Sequence, residues 1–197
     1  MLKEKLKDYN LILASASPRR HAFLKAMHLD FKIEVKPVDE VYPNHLKASQ
    51  ITDYLAKLKA ESFHTDLKEK DILITSDTIV WLDHKAIEKP KDEEDAFRML
   101  KLLSNKTHEV ITSICITAKS KQHLVNTSTK VTFKAITDHE ISYYVKNYKP
   151  LDKAGAYGIQ EWIGAIGITS IEGSYNNVVG LPTHLLYKTL NTIVDDV

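Results

Sequence analysis

The sequence predicts an α/β protein with a mixed sheet, and three observations carry that expectation. Short apolar runs bounded by polar turns, at residues 10–14 and 71–75, read as buried strands. Between them, Ile51, Leu55 and Leu58 recur at the spacing of one helix face. Two long strand-like segments, 110–118 and 124–136, follow one another as an antiparallel pair does, with Val131, Phe133 and Ala135 alternating in the second. Intermixed strands and helices with some antiparallel neighbours give a mixed sheet rather than a wholly parallel one.

Taken in order, residues 1–10 are polar and charged. Strand 10–14 runs into Ser17-Pro18, a serine N-cap with proline at the first helical position, so a helix over 18–28 is expected to bury Phe23, Leu24 and Met27. Residues 31–35 alternate as a second strand, and a helix spans 49–64. Strand 71–75 leads into Ser76-Asp77-Thr78, continues through 79–82 and turns at Asp83-His84. Asp92 caps a helix through Leu103 with Ala96, Met99 and Leu100 on one face. After the antiparallel pair, Thr137 caps a helix carrying Ile141, Tyr144, Val145 and Tyr148. Residues 163–171 read as a strand, and a last helix from Leu181 places Leu186, Leu190 and Ile193 in register.

Composition narrows the function. With 27 basic and 26 acidic residues the net charge is +1, which argues against a nucleic-acid-binding module with a broad basic face. One cysteine, Cys115, rules out an intrachain disulfide and a cysteine-based zinc site; in the run Ile114-Cys115-Ile116 it reads as a buried small hydrophobe. There is no secretory signal pattern and no run of about 20 apolar residues, so a cytoplasmic location with no membrane association is expected. All six glycines lie after residue 150, which excludes a P-loop or dinucleotide fingerprint in the first 150 residues. Any phosphate must then be held by side chains and helix N-termini.

Five stretches carry the chemistry. In Ser15-Ala16-Ser17-Pro18-Arg19-Arg20, hydroxyls and guanidinium groups gather at the start of a helix, where free backbone N–H groups attract an anion. Ser76-Asp77-Thr78 puts a carboxylate at the end of an apolar strand, suited to a divalent cation or to orienting a water. Glu88-Lys89-Pro90 offers a compact positive charge on a stiffened loop. In Asp152-Lys153-Ala154-Gly155-Ala156-Tyr157-Gly158-Ile159-Gln160, small residues let backbone approach a ligand, and Gln160 has both donor and acceptor for a base edge. The run from Gly173-Ser174 to Gly180-Leu181-Pro182 is a polar loop opening a helix, either a cap or another anion site. No histidine pair has metal-ligand spacing, and no Gly-x-Ser-x-Gly elbow is present.

In order and spacing, these five stretches resemble the Maf family over nearly the whole chain. The resemblance implies one Maf-like domain over residues 1–197, with room for two lobes about a central cleft, and an elongated mixed sheet flanked by helices, like that of inosine triphosphate pyrophosphatases. It implies hydrolysis of a nucleoside triphosphate to the monophosphate and pyrophosphate with a divalent metal cation, Mg2+ or Mn2+. The proton acceptor falls on Asp77, the phosphate-binding set on Ser15, Ser17, Arg20, Lys59 and Lys89, and the metal on Asp77 and Glu40. Positions that separate subfamilies fall on Arg19, Thr78 and Gln160, and resemble the dTTP/UTP type rather than the 7-methyl-GTP type. A metal-bound water would let Asp77 act with an ordinary carboxylate pKa. The resemblance also suggests a homodimer and leaves room for a non-catalytic regulator of cell division. The chain departs from many relatives at Ala16 and at the Asp83-His84 turn, both places where glycine is common.

Overall fold

The computed structural model describes residues 1–195. Eight helices are resolved among them: α1 (Leu2–Lys5), α2 (Pro18–Ala26), α3 (Ser49–Glu61), α4 (Glu93–Leu103), α5 (Asp138–Tyr148), α6 (Trp162–Gly167), α7 (Tyr175–Val179) and α8 (Thr183–Asp195). The strands are β1 (Asn10–Leu13), β2 (Lys32–Ile33), β3 (Asp71–Leu82), β4 (Lys85–Ile87), β5 (Thr107–Thr117), β6 (Gln122–Phe133) and β7 (Ile168–Glu172). They form a mixed sheet in the order β2-β1-β3-β5-β6-β7, with β4 on β3. β1 runs parallel to both β2 and β3, whereas β4 is antiparallel to β3 and β7 to β6. No described helix is long and apolar enough to cross a membrane.

The described residues divide into two compact units. The first comprises Met1–Asp77, Thr112–Thr127 and the described part of Gly180–Val197; the second comprises Thr78–Ile111 and Ser128–Val179. The chain passes from one unit to the other within β3, β5 and β6, and once more between Val179 and Gly180, after α7.

In the first unit, side-chain alternation along the strands sorts the core into two faces. Leu11, Leu13, Ile72, Ile74, Ile114 and Ile116 pack with apolar residues of α1, α2 and α8. The intervening Ile12, Leu73 and Cys115 pack instead with Ala56 and Ala60 of α3. Along β3 the α3-facing parity continues through Thr75 to Asp77. The Thr75 hydroxyl donates to the Ala56 carbonyl at 2.7 Å. Cys115 is fully buried, and burial raises its thiol pKa, as expected of a small hydrophobe.

In the second unit, Val80, Leu100, Leu103, Phe133, Ile141, Tyr144 and Ile163 share one core. Asp92 caps α4 by accepting from the Asp95 N–H at 2.8 Å, and Thr137 and Glu140 form a reciprocal capping box on α5. The β3–β4 turn is made by Asp83 and His84 at φ 48° and 62°, so two non-glycine residues adopt the left-handed conformation that a two-residue hairpin demands.

Several expectations change. The stretch 163–171 is not one strand: Trp162–Gly167 is a helix, and only Ile168–Glu172 pairs with β6. The apolar run was too short to fix its period, and Ile163, Gly164 and Gly167 all lie buried on one helical side. Residues 31–35 pair only over Lys32–Ile33, and the helix expected to 64 ends at Glu61. In α2 only Leu24 is fully buried, with Phe23 and Met27 partly covered. The polar N-terminus hides α1, whose Leu2 joins the core with Leu6 just beyond it.

Candidate active site

Asp77 lies near the middle of β3, not at its end, because β3 continues to Leu82. It is the last residue of the first unit, and its side chain is 9% exposed. One carboxylate oxygen accepts from Lys59 Nζ at 2.6 Å. The same Nζ lies 3.0 Å from Glu40 Oε1. Lys59 is carried on α3 one turn after Ala56, and the Thr75–Ala56 hydrogen bond sets α3 against β3 immediately beside the pair. Strand and helix thus meet at two successive rungs, Thr75 with Ala56 and Asp77 with Lys59.

Arg20 completes this side. Its Nε donates to the Gly180 carbonyl at 2.9 Å, and one terminal nitrogen donates to the Ser76 carbonyl at 2.8 Å and to Ser15 Oγ at 3.4 Å. The Ser15 hydroxyl also accepts from the Ser17 N–H at 3.2 Å. His21 Nε2 donates to the Ser15 carbonyl at 2.7 Å. Ser17 occupies the N-cap position of α2, but its side chain makes no capping hydrogen bond, contrary to the cap expected. Arg19, the residue before Arg20, is half-buried.

Charges and burial oppose each other here. Desolvation raises the Asp77 pKa above its ordinary value, against the lowering pull of Lys59 and Arg20, and Glu40 adds to the rise. The ordinary carboxylate pKa expected for Asp77 is therefore corrected upward. Desolvation lowers the Arg20 pKa, with Asp77 acting against it. An arginine so shifted is still a cation at neutral pH. Glu40 is 46% exposed, so its share of the Lys59 charge is screened by water.

Among the described residues no three histidine, cysteine, aspartate or glutamate side chains converge on a metal position. Two carboxylates do converge on one cationic nitrogen, Lys59 Nζ. That pair fits a magnesium-like ion, which takes one or two carboxylates and fills its shell with water and phosphate oxygens.

The other expected residues belong to the second unit. Thr78 is its first residue, on β3. Lys89 lines a pocket of about 550 Å³ with Leu82, Ile87, Met99 and Leu102. The Glu88 carbonyl accepts from the Gly155 N–H at 3.0 Å, so two stretches about 65 residues apart are tied by their backbones. Gly155 has φ +68°, and a Cβ there would lie 2.8 Å from Val80 Cγ2, which explains the glycine twice over. Gln160 is exposed within a stretch whose residues 155–159 are all buried, and its carboxamide has no hydrogen bond to another described residue.

The run from Gly173 to Pro182 has a structural part that the anion reading passed over. It forms α7, and Asn177 is fully buried, donating to the Val110 carbonyl at 2.8 Å and to Thr129 Oγ1 at 2.9 Å. Its Gly180 carbonyl is also a fixed acceptor for Arg20. Sequence reasoning missed the Ser76 and Gly180 carbonyls because a backbone acceptor has no residue-type signal.

A mixed α/β fold with a buried acid, a lysine and an arginine gathered at one strand defines a protein able to hold an anion beside a proton acceptor. The chain belongs to the Maf family: the profile of that family, described as Maf-like protein, matches residues 10–193. A Flavobacterium johnsoniae protein named dTTP/UTP pyrophosphatase is 58% identical over 98% of this chain and 100% of its own length. A Christiangramia forsetii protein of the same name is 57% identical over 99% of this chain and all of its own. Among solved structures, the Staphylococcus aureus Ham1 protein shares the fold at a TM-score of 0.55 and 16% identity, covering 93% of this chain and 99% of that one.

Proposed function

We propose that this chain is a nucleoside triphosphate pyrophosphatase that hydrolyses dTTP and UTP to the monophosphate and pyrophosphate. The observation that carries the reading is Asp77, a buried carboxylate held by Lys59 and facing the charge of Arg20. The relatives named dTTP/UTP pyrophosphatase, matched over nearly their full lengths, support the substrate class.

The chemistry follows from the charges. A triphosphate repels an incoming oxygen nucleophile, and fixed cations in a partly dry site reduce that repulsion more than water does. Arg20 has two hydrogen bonds to main-chain carbonyls and needs little reorganisation to present its charge. Ser15, Ser17, Lys59 and Lys89 complete the proposed phosphate set. Asp77 takes the proton as water adds across the bond between the α and β phosphates. The bridging oxygen leaves with the bonding electrons as part of pyrophosphate. A raised pKa makes the Asp77 carboxylate a stronger base than an exposed one. Asp77 and Glu40 would hold the divalent cation, Mg2+ or Mn2+, which supplies Lewis-acid charge neutralisation when bound. Arg19, Thr78 and Gln160 are the proposed selectivity residues, with Gln160 hydrogen-bonding the base edge. A cytoplasmic homodimer belongs to the same reading.

The test is a panel of dTTP, UTP, GTP and 7-methyl-GTP, with and without added magnesium or manganese, reading pyrophosphate release. Metal-dependent release highest with dTTP and UTP is expected. Highest release with 7-methyl-GTP would move the substrate assignment, and nucleotide binding without release would leave a regulator.

A further inference from the structure

Gln160 stands on a turn that is held from several sides. The Glu161 N–H donates to the Gly158 carbonyl at 3.0 Å, closing a β-turn in which Ile159 and Gln160 are the central pair. The Gly158 N–H donates to the Tyr144 hydroxyl oxygen at 3.0 Å, and that hydroxyl in turn donates to Glu161 Oε2. Lys153 Nζ lies 3.2 Å from Glu161 Oε1, and 2.7 Å from Asp152 Oδ1. A single carboxylate, Glu161, is therefore gripped at both oxygens, and the hydroxyl that grips one of them also accepts from the first residue of the turn.

Packing allows little slack around these bonds. Tyr144 is fully buried on α5, and Lys153 is only 9% exposed. A Cβ on Gly158 would lie 2.7 Å from the Glu161 carboxyl carbon, and one on Gly164 would lie 1.9 Å from the Ile159 carbonyl oxygen. Glycine at both positions lets the turn press against its own carboxylate and against α6. Burial together with the Glu161 carboxylate raises the Tyr144 pKa, so the phenol stays a neutral donor. A buried tyrosine, a nearly buried lysine and a carboxylate form a network that is costly unless every member is satisfied. What the network fixes is the one exposed residue of the turn, whose carboxamide is left for another molecule.

We infer that Tyr144, Glu161 and Lys153 are positioning residues that hold the backbone of the turn carrying Gln160, so that its carboxamide reaches out from one fixed point, and that they thereby set nucleobase selectivity. The inference rests on the base-reading role proposed for Gln160. A hydrogen-bonding side chain discriminates between bases better when the backbone that carries it is fixed, because a mobile turn lets the amide adapt to either edge. The clamp acts on the base and not on the reacting phosphates, so its loss should show in the ratio between substrates more than in the turnover of the preferred one.

The experiment compares kcat/KM for UTP and GTP in the parent enzyme, Tyr144→Phe, Glu161→Gln, Gln160→Ala and the double variant Tyr144→Phe/Gln160→Ala, with a thermal melt on each. Tyr144→Phe keeps the ring and removes only the hydroxyl; Glu161→Gln keeps the shape and removes the charge that Lys153 meets. Each is expected to lower the UTP-over-GTP ratio by about tenfold, and kcat for UTP to fall less than about threefold. The double variant should lose no more selectivity than Gln160→Ala alone, because the clamp acts through that residue. If Gln160→Ala lowers the ratio while folded Tyr144→Phe and Glu161→Gln keep it, the clamp inference is overturned and the base-reading role survives. Additive losses in the double variant overturn the inference in the same way. If Gln160→Ala itself leaves the ratio unchanged, the base-reading role falls, and the clamp inference with it.

Discussion

At the scale of single residues, the candidate site turns on how much of Asp77 is hidden. A surface aspartate in contact with lysine is a better acid than usual; this one is pushed the other way because desolvation exceeds the pull of Lys59. If Asp77 is the base, Asp77→Asn should reduce turnover by about 10²- to 10⁴-fold or more with the circular dichroism spectrum unchanged. Turnover near the parent value would remove Asp77 from the mechanism. The pH dependence has a definite sign. Asp77 accepts a proton only when ionised, so activity rises with pH through its pKa, and the acid limb of kcat/KM should lie above the ordinary carboxylate range. Lys59 lowers that pKa, so Lys59→Met should move the limb further up, whatever it does to the plateau. Comparing the two profiles on one substrate cancels the ionisation of the nucleotide. A limb that stays put or moves down would contradict the coupling. Asp77 was legible in the sequence as a polar residue ending an apolar run. Its burial was not, because that depends on α3, which arrives from a different part of the chain.

At the scale of elements, β1 and the first-unit parts of β3 and β5 were readable because their runs are apolar on both sides, with helices covering both faces. The capped helices α4 and α5 were readable because Asp92 and Thr137 announce their starts. α6 was not, since Trp162-Ile163-Gly164-Ala165-Ile166-Gly167 satisfies a strand pattern as well as a helical one. What decides it is close approach: Gly164 meets the Ile159 carbonyl, whereas a Cβ on Gly167 would lie 3.1 Å from the Phe133 ring. The two glycines should therefore rank differently. Gly164→Ala must displace backbone and should cost more than about 2 kcal/mol by urea unfolding, with Gly167→Ala milder because a ring edge can shift. The reverse order would show that the packing of α6 has been misread.

At the scale of the whole molecule, acid sensitivity should be traceable to one buried imidazole. His108 is 2% exposed, stacked on Phe133, with Nε2 2.7 Å from the Tyr157 hydroxyl, and burial lowers its pKa to about 4. The unfolded chain takes up this proton near 6.5, so between about 6.5 and about 4 the unfolded state binds more protons than the folded one. The stability from this residue is complete above 6.5 and is lost as the pH falls toward 4, about 3 kcal/mol in all. His108→Gln keeps a polar partner for Tyr157 and removes the titration, so its melting temperature should fall less over that interval. Parallel declines in parent and variant would place the acid sensitivity elsewhere. None of this was visible beforehand, because His108 looked like any other scattered histidine until Tyr157 and Phe133 were placed around it. The boundaries between the units were hidden for a similar reason: those at 77/78, 111/112 and 127/128 fall inside strands, where composition does not change.

One consequence concerns the order in which the chain is made. Leu2 and Leu6, at and just after α1, share a core with Leu186, Leu190 and Ile193 of α8, and Gly180 supplies an acceptor for Arg20. During synthesis Leu2 and Leu6 therefore wait for partners made long after them. A nascent or truncated product that stops before Gly180 would carry an uncovered sticky face and an arginine missing one of its tethers, a natural substrate for chaperones and proteases.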